Sequence, residues 1–302
     1  MAILIDFSQV VLSACYAFSD QLTIDNPDKN QARDLVRHVI LSQLKQYNTT
    51  YKEKYGKLIV CCDGKHYWRR KIFTHYKACR KKARAESKLD WKLIFDVIDQ
   101  TILDLKENFL FPVIQVDTAE GDDVIATITK YLQTNELIEK NILFSYAQDI
   151  LIVSSDKDLV QLHKYDNVTQ IAPTNKKKVV DPNPSQYLIE KVIKGDRGDG
   201  IPSILNPEDT YVNDQIKPLT MTKKRLAALL EQGYDNCTDE TIKRRWETNR
   251  QLIDFDYIPQ SLENLIIEQY TMPVQGSRTK IFNYLISHKC NILVRDVSAF
   301  NN

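Results

Sequence analysis

Acidic residues recur in this chain just after short apolar runs. Asp6 follows Ala2-Ile3-Leu4-Ile5, Asp63 follows Leu58-Ile59-Val60-Cys61-Cys62, and Glu120, Asp122 and Asp123 come after Val113-Ile114-Gln115-Val116. Asp156 and Asp158 come after Ile150-Leu151-Ile152-Val153, and Asp196 and Asp199 lie in the turn Gly195-Asp196-Arg197-Gly198-Asp199-Gly200. Carboxylates gathered at one rim push one another's pKa up until something cationic neutralises them. Hard divalent cations suit that task, because they take oxygen ligands and keep several waters. Two such ions about 3.5 to 4 Å apart can activate water and stabilise a leaving oxygen, the chemistry of phosphodiester hydrolysis. Any one of these acids alone reads as a helix cap or a solvated turn residue. Five clusters in chain order point instead to a metal centre.

A second chemistry is written in the basic residues. Net charge is only +1, yet between Lys65 and Lys88 ten lysines and arginines face one acid, Glu86. A merely soluble helix mixes both signs; this segment is built to meet a polyanion. Its cations, among them Arg69, Arg70, Lys77, Arg80, Lys81, Lys82 and Arg84, interleave with Tyr67, Trp68, Phe73 and Tyr76. Cations supply affinity for phosphates and aromatic faces can stack on unpaired bases, so the composition suits single-stranded nucleic acid near a duplex. The glycine-rich turn is a weaker signal of the same kind. Gly195, Gly198 and Gly200 would let backbone amides approach a phosphate beside Arg197, or would serve only a tight turn between helices.

The elements that must position these residues follow from the apolar pattern. The runs ahead of the acids are β-rich and continuous, as buried parallel strands are, and ligand sites in open α/β sheets lie beyond the carboxyl ends of such strands. Between them, Leu35, Val39, Ile40 and Leu44, then Leu93, Ile94, Val97, Ile98, Ile102 and Leu105, repeat at helical spacing. The expectation is an α/β fold: a central, mostly parallel sheet flanked by helices over residues 1–180. Residues 167–180 read as a hairpin turning at Thr174-Asn175-Lys176. Beyond the breaker Asp181-Pro182-Asn183-Pro184, a smaller helical domain is expected over 181–302. Its helices are expected over Gln186 to Lys194 with Ser185 as cap, Lys223 to Gln232, Thr238 to Phe255, Ser261 to Tyr270 and Thr279 to Lys289.

Composition sets the remaining bounds. At 302 residues, 43% hydrophobic and 27% charged, the chain has the makeup of a soluble globular protein. No apolar stretch approaches a membrane span and no signal-peptide layout opens the chain, so a cytoplasmic protein is expected. The six cysteines show no metal-ligand spacing, and none of the five histidines pairs with them or forms a nucleophile triad.

Taken in order, Leu4-Ile5-Asp6-Phe7-Ser8, Asp63 with Tyr67-Trp68-Arg69-Arg70 and Tyr76-Lys77, Glu120-Gly121-Asp122-Asp123, Ser154-Ser155-Asp156-Lys157-Asp158 and Gly195-Asp196 through Asp199-Gly200-Ile201-Pro202 resemble the successive motifs of the structure-specific 5′-nucleases. That family includes the flap endonucleases and the 5′-nuclease domains of bacterial polymerases. The resemblance covers nearly the whole chain. It implies a PIN/5′-nuclease-like fold and a nuclease dependent on two Mg²⁺ ions, with Mn²⁺ able to substitute, that removes RNA primers and 5′ flaps during lagging-strand replication. Asp6, Asp63, Asp123 and Asp156 would hold or surround one metal, with Asp158, Asp196 and Asp199 near the second. Arg69 and Lys77 would reach the scissile phosphate and Tyr76 would stack on a base. Residues 64–90 resemble an arch for single strands, and residues 186–210 a helix-turn-helix element gripping duplex. Implied partners are flapped or forked DNA and RNA–DNA hybrid, with a single-stranded-DNA-binding protein and a sliding clamp, the enzyme itself being a monomer. The chain departs from the family at Glu-Gly-Asp-Asp, where Glu-Ala-(Asp/Glu)-Asp is usual, which leaves open whether Asp122 or Asp123 is the closer ligand. The rival from another class is a non-catalytic, structure-selective DNA-binding protein on the same fold.

Overall fold

The computed structural model describes residues 1–134 and 148–301, with the side chains of residues 81–83 outside the described set. Its strands are β1 (Ala2–Asp6), β2 (Lys57–Cys61), β3 (Val113–Ile114), β4 (Ile150–Val153) and β5 (Val168–Ile171). They form one sheet in the order β3-β2-β1-β4-β5, every pairing parallel. β1 and β4 are buried along their whole length, which is why their sequences run apolar without alternation. The register pairs Asp6 with Cys61 and Ile5 with both Val60 and Val153, so the carboxyl ends of β1, β2 and β4 finish level. The chain builds outward from β1 to β2 and β3, then returns to the other side for β4 and β5. The crevice of such a sheet therefore opens at β1, where the order reverses.

The helices are α1 (Phe7–Tyr16), α2 (Lys29–Tyr55), α3 (Arg69–Ile72), α4 (Cys79–Ala85), α5 (Trp91–Asn108), α6 (Gly121–Tyr131), α7 (Pro184–Lys194), α8 (Lys223–Gln232), α9 (Glu240–Ile253), α10 (Gln260–Thr271), α11 (Arg278–Ser287) and α12 (Asn291–Val294). None in the described residues is long and apolar enough to cross a membrane. Side-chain caps set their starts. Asp28 accepts from the Gln31 amide at 2.8 Å and Asp90 from the Leu93 amide at 3.0 Å. Several expected starts shift for the same reason. α7 opens at Pro184 because Asn183, not Ser185, takes the Gln186 amide at 3.1 Å, with proline pre-set for the first turn. α9 opens at Glu240 because Asp239 accepts from the Thr241 and Ile242 amides, and α11 opens at Arg278 behind Ser277.

The chain divides into two compact units. The first comprises residues 1–65, 88–180 and 260–302; the second comprises residues 66–87 and 181–259. This differs from a division at residue 180 in two places. The C-terminal helices belong with the sheet, since Gln269 exchanges hydrogen bonds of 3.1 Å with the Gln115 backbone, and Phe300 is fully buried 5.3 Å from the Phe109 ring. The basic segment belongs with the helices, since Phe73 and Tyr76 share a core with Val192, Ile201 and Trp246. Each such side chain taken from water contributes about 1.5–3 kcal/mol.

Two further expectations change. The hairpin over 167–180 is shorter than expected: beyond the turn the chain meets the outer edge of β5 at the bridge Ile171–Lys178, with Val179 N donating to Gln170 O at 3.0 Å and Ala172 N to Lys177 O at 2.9 Å, while the inner edge of β5 pairs with β4. Residues 186–210 do not hold two helices. α7 ends at Gly195, and the chain closes a tight loop in which Asp196 and Ile201 exchange backbone hydrogen bonds of 2.8 and 2.7 Å. A side chain at Gly195 would strike Pro202 O at 2.4 Å and φ there is +70°, so glycine is required.

Candidate functional site

In the first unit, the strand ends deliver the carboxylates. Asp6 terminates β1 and caps α1, its Oδ1 accepting from the Gln9 amide at 3.1 Å while its Oδ2 accepts from the Ser154 hydroxyl at 2.8 Å. Ser154 follows β4, and its oxygen also accepts from the Asp156 amide at 3.0 Å, so one hydroxyl ties Asp6 to Asp156. Asp156 in turn takes the Asp158 amide at 2.9 Å. From the β2 side, Asp63 accepts the Ser8 hydroxyl at 2.5 Å and the Gly121 amide at 2.8 Å. The last bond places the start of α6 beside Asp63. There Asp123, fully buried, accepts from the Glu120 amide at 2.9 Å and so helps cap its own helix. Asp122 stands more exposed, close enough to Cys61 at the end of β2 to help raise its thiol pKa after burial, Cys62 and Asp6.

The electrostatics record the crowding. Asp6 is pushed up to about 7, first by burial and then by the charge of Asp63, with Asp156 adding to the rise and the Ser154 and Gln9 hydrogen bonds opposing it. Among the described residues no three of His, Cys, Asp and Glu close into a complete metal cage. The donors fit a hard divalent ion nonetheless: they are all oxygens, they come from three adjacent strand ends, and the charge of Asp6 is strained as it stands. Magnesium in particular is held by one or two carboxylates with waters and substrate phosphates rather than by a protein cage.

Sequence reasoning singled out the acids and gave no role to the groups that aim them. Ser8 and Ser154 supply hydroxyls, and Gln170, buried in β5, donates to Ser154 O at 2.9 Å and Asp156 O at 2.7 Å. A glutamine beside Ile171 in a β-rich strand of the sheet is the signal that could have found the last. The Glu-Gly departure is mild in space. A Cβ at Gly121 would meet Cys61 O at 3.4 Å and Asp63 Oδ1 at 3.6 Å, ordinary contact.

In the second unit, Asp196 and Asp199 are matched to cations. Lys191 pairs with Asp196 at 2.6 Å, and although burial pushes Asp196 up, that partner and the Asp199 and Gly198 amides bring its pKa below the ordinary value. Asp199 takes the Tyr76 hydroxyl at 3.0 Å and the Arg80 guanidinium at 2.5 Å, with the Lys77 ammonium at 3.8 Å. The expected phosphate cradle is spent internally: the Gly198 and Asp199 amides donate to Asp196 Oδ1 and the Gly200 amide donates to Arg197 O. Tyr76 is 3% exposed, so its ring packs in the helical core instead of offering a face to a base. Arg69 is equally buried, its guanidinium 4.6 Å over the Trp68 ring and its Nε donating to Leu252 O at 2.7 Å. Of the cations expected to meet a polyanion, Arg70, Arg80, Arg84 and Arg197 are exposed, as is Lys71, and Arg80 is paired with Asp199; the side chains of Lys81 and Lys82 lie outside the described residues.

Comparison with known proteins bears on both units. Residues 1–192 match a family model described as 5′-3′ exonuclease, N-terminal resolvase-like domain, and residues 183–300 match one described as T4 RNase H, C terminal. The ribonuclease H of Enterobacteria phage T4 is 33% identical over 98% of this chain and 95% of its own. A DNA polymerase I of Streptococcus pneumoniae is 24% identical over 87% of this chain, which matches only 31% of that longer protein. Among solved structures, the T5 5′-exonuclease with bound zinc superposes with a TM-score of 0.56 at 18% identity, covering 89% of this chain and 98% of that one. The T5 D15 protein co-crystallised with metal ions gives 0.51 at 17%, covering 89% and 96%. These last two share the fold.

Proposed function

The chain belongs to the 5′-3′ exonuclease family, and on that premise we propose that it is a divalent-metal-dependent nuclease cutting phosphodiesters near the 5′ ends of RNA-primed and flapped strands. The observation that carries the reading is the bridge Asp6–Ser154–Asp156 facing Asp63–Ser8 across the ends of β1, β2 and β4. Asp6, Asp63 and Asp156 would hold magnesium, with Glu120, Asp122, Asp123 and Asp158 around them. Such ions, when bound, supply neutralisation of phosphate charge and acidification of water. The chain's own groups do the rest. Ser8, Ser154 and the Gly121 amide hold carboxylate oxygens in fixed directions, so no reorganisation is needed when charge develops. Burial of Asp6 keeps its surroundings poor in water, which strengthens every charge interaction there.

The second unit supplies binding. Exposed Arg70, Lys71, Arg80, Arg84 and Arg197 would follow the phosphate backbone, giving affinity that falls steeply with salt. Lys77 is proposed as the phosphate contact, while Arg69 acts through packing. The name of the T4 relative, ribonuclease H, supports a substrate that contains RNA, and RNA-primer removal on the lagging strand, in the host cytoplasm, is proposed as the setting. Magnesium as the ion, two ions per site, a monomeric enzyme, and docking to a single-stranded-DNA-binding protein or sliding clamp belong to the same proposal.

The test is product mapping on an end-labelled, 5′-flapped RNA–DNA hybrid with and without Mg²⁺. Short 5′-terminal products that vanish with chelator are expected. Binding without cleavage in saturating Mg²⁺ would favour the non-catalytic rival and overturn the proposal.

A further inference from the structure

Within the sheet unit, the turn that carries Asp156 is held at each of its residues. The Ser154 hydroxyl donates to Asp6 Oδ2 at 2.8 Å and accepts the Asp156 amide at 3.0 Å, while the Ser155 amide donates to Gln9 Oε1. From β5, the Gln170 side-chain nitrogen donates to Ser154 O at 2.9 Å and to Asp156 O at 2.7 Å. Gln170 is 1% exposed, and these two carbonyls use both of its amide hydrogens. Its Oε1 is left for a third partner, His163 Nε2 at 3.1 Å. A carbonyl oxygen only accepts, so the His163 ring carries a proton on Nε2. Turned the other way, the amide would set Oε1 against two backbone oxygens with no hydrogen between them. His163 lies near the end of the 3₁₀ segment Lys157–Lys164, which Asp156 caps, and Gln170 lies in the next strand. The chain leaving Asp156 therefore returns to brace it.

We propose that His163 is a positioning residue: through Gln170 it locks the turn 154–156, and with it the Asp156 carboxylate, in the arrangement that takes up a divalent ion. The proposal rests on the metal reading of the strand-end acids and adds to it a residue that holds no ion. His163 fixes which end of the Gln170 amide faces the turn, and Gln170 fixes the carbonyls on either side of Ser155. A buried amide in the sheet needs all three partners, since each one lost leaves a polar group without water or protein to satisfy it. Partners of this outer kind set the direction of a metal-holding carboxylate before the ion arrives.

Three variants of the full chain test it. His163→Leu removes the donor, His163→Gln keeps an N–H that can reach the place of Nε2, and Gln170→Leu removes the amide. Mn²⁺ affinity is measured by calorimetry, and kcat and KM on the flapped hybrid are measured as Mg²⁺ is titrated. His163→Leu is expected to weaken Mn²⁺ binding about tenfold and to raise the Mg²⁺ needed for half-maximal rate to match, with KM for the hybrid unchanged. His163→Gln should recover most of both. His163→Leu combined with Gln170→Leu should be no worse than Gln170→Leu alone, because both cut one path. Should Gln170→Leu fail to fold, the two variants at half-buried His163 carry the test by themselves. Wild-type Mn²⁺ affinity in His163→Leu would overturn the proposal, and so would an equal loss in His163→Leu and His163→Gln, which would make ring packing the cause. A wild-type chain that binds Mn²⁺ yet cleaves nothing would sink the nuclease reading alone, and the affinities would still decide the role of His163.

Discussion

In the sheet unit, Asp6 and Asp63 take their hydrogen bonds from serine hydroxyls and backbone amides; in the helical unit, Asp196 and Asp199 take theirs from Lys191, Arg80 and Tyr76 as well. Hydroxyls and amides orient a carboxylate while leaving most of its charge standing, and Asp6 consequently rises to about 7 under burial and the charge of Asp63. Ammonium and guanidinium groups cancel the charge, and Asp196 falls below the ordinary value despite its burial. The same residue type thus reads as an ion-seeking site in one place and as a fastening in the other. The partners decide which, and partners are a property of the fold.

Breaking the sheet-unit site should have the largest effect. Asp63→Asn keeps the size of the side chain and removes its charge, with the amide oxygen accepting from Gly121 and the NH2 donating to a turned Ser8 hydroxyl; kcat on a flapped substrate should fall by on the order of a hundredfold or more, with flap affinity by gel shift retained. Breaking the packing of the helical unit should cost stability instead. Arg69→Ala strands Leu252 O and should lower unfolding free energy by about 2–3 kcal/mol in urea titration, an effect set by the buried bond to a charged donor.

The sign of the Asp6 shift sharpens the comparison. Its folded pKa lies above the unfolded value, so the folded state binds the proton more tightly and metal-free stability falls as pH climbs from about 4 through about 7. Asp6→Asn removes that penalty. In chelator, the variant should melt higher than wild type at pH 8, with the gap closing toward pH 4; a gap independent of pH would show that Asp6 carries no such strain. Ser154→Ala removes a hydrogen bond that lowers the Asp6 pKa, so the acid limb of the pH–rate profile should move to higher pH by less than one unit. The smallest change is Gly121→Ala. A Cβ there finds ordinary contacts, and alanine at a helix start should be neutral or stabilising by about 0.5 kcal/mol in thermal melts.

Much of the sheet unit was legible because parallel strands advertise themselves as continuous apolar runs, and an acid after such a run can only finish near its neighbours once the register is level. β4 ended where its run ended, β1 and β2 within one residue of theirs, and the apolar spacing around Val39 and Val97 marked α2 and α5. The helical unit was less legible. Tyr76 and Trp68 read as exposed stacking faces because their cations are adjacent in sequence, but the core that covers Tyr76 comes from α7 and α9, more than a hundred residues away, and Trp68 is 6% exposed with the Arg69 guanidinium over its ring. The turn at Gly195–Gly200 read as a phosphate cradle because glycine spacing cannot tell which acceptor the amides will find; the acceptor was Asp196, inside the motif itself. The burial of Phe300 is illegible for the same reason, its partners Phe109 and Phe111 being distant in the chain.

The account stands or falls on whether the carboxylates of the sheet unit hold a divalent ion. Crystals grown with Mn²⁺ and measured at the manganese absorption edge test it directly. The account predicts an anomalous peak bounded by the Asp6, Asp63 and Asp156 carboxylates, lost in Asp63→Asn. A map with no peak there at saturating Mn²⁺, those side chains unchanged, would contradict it.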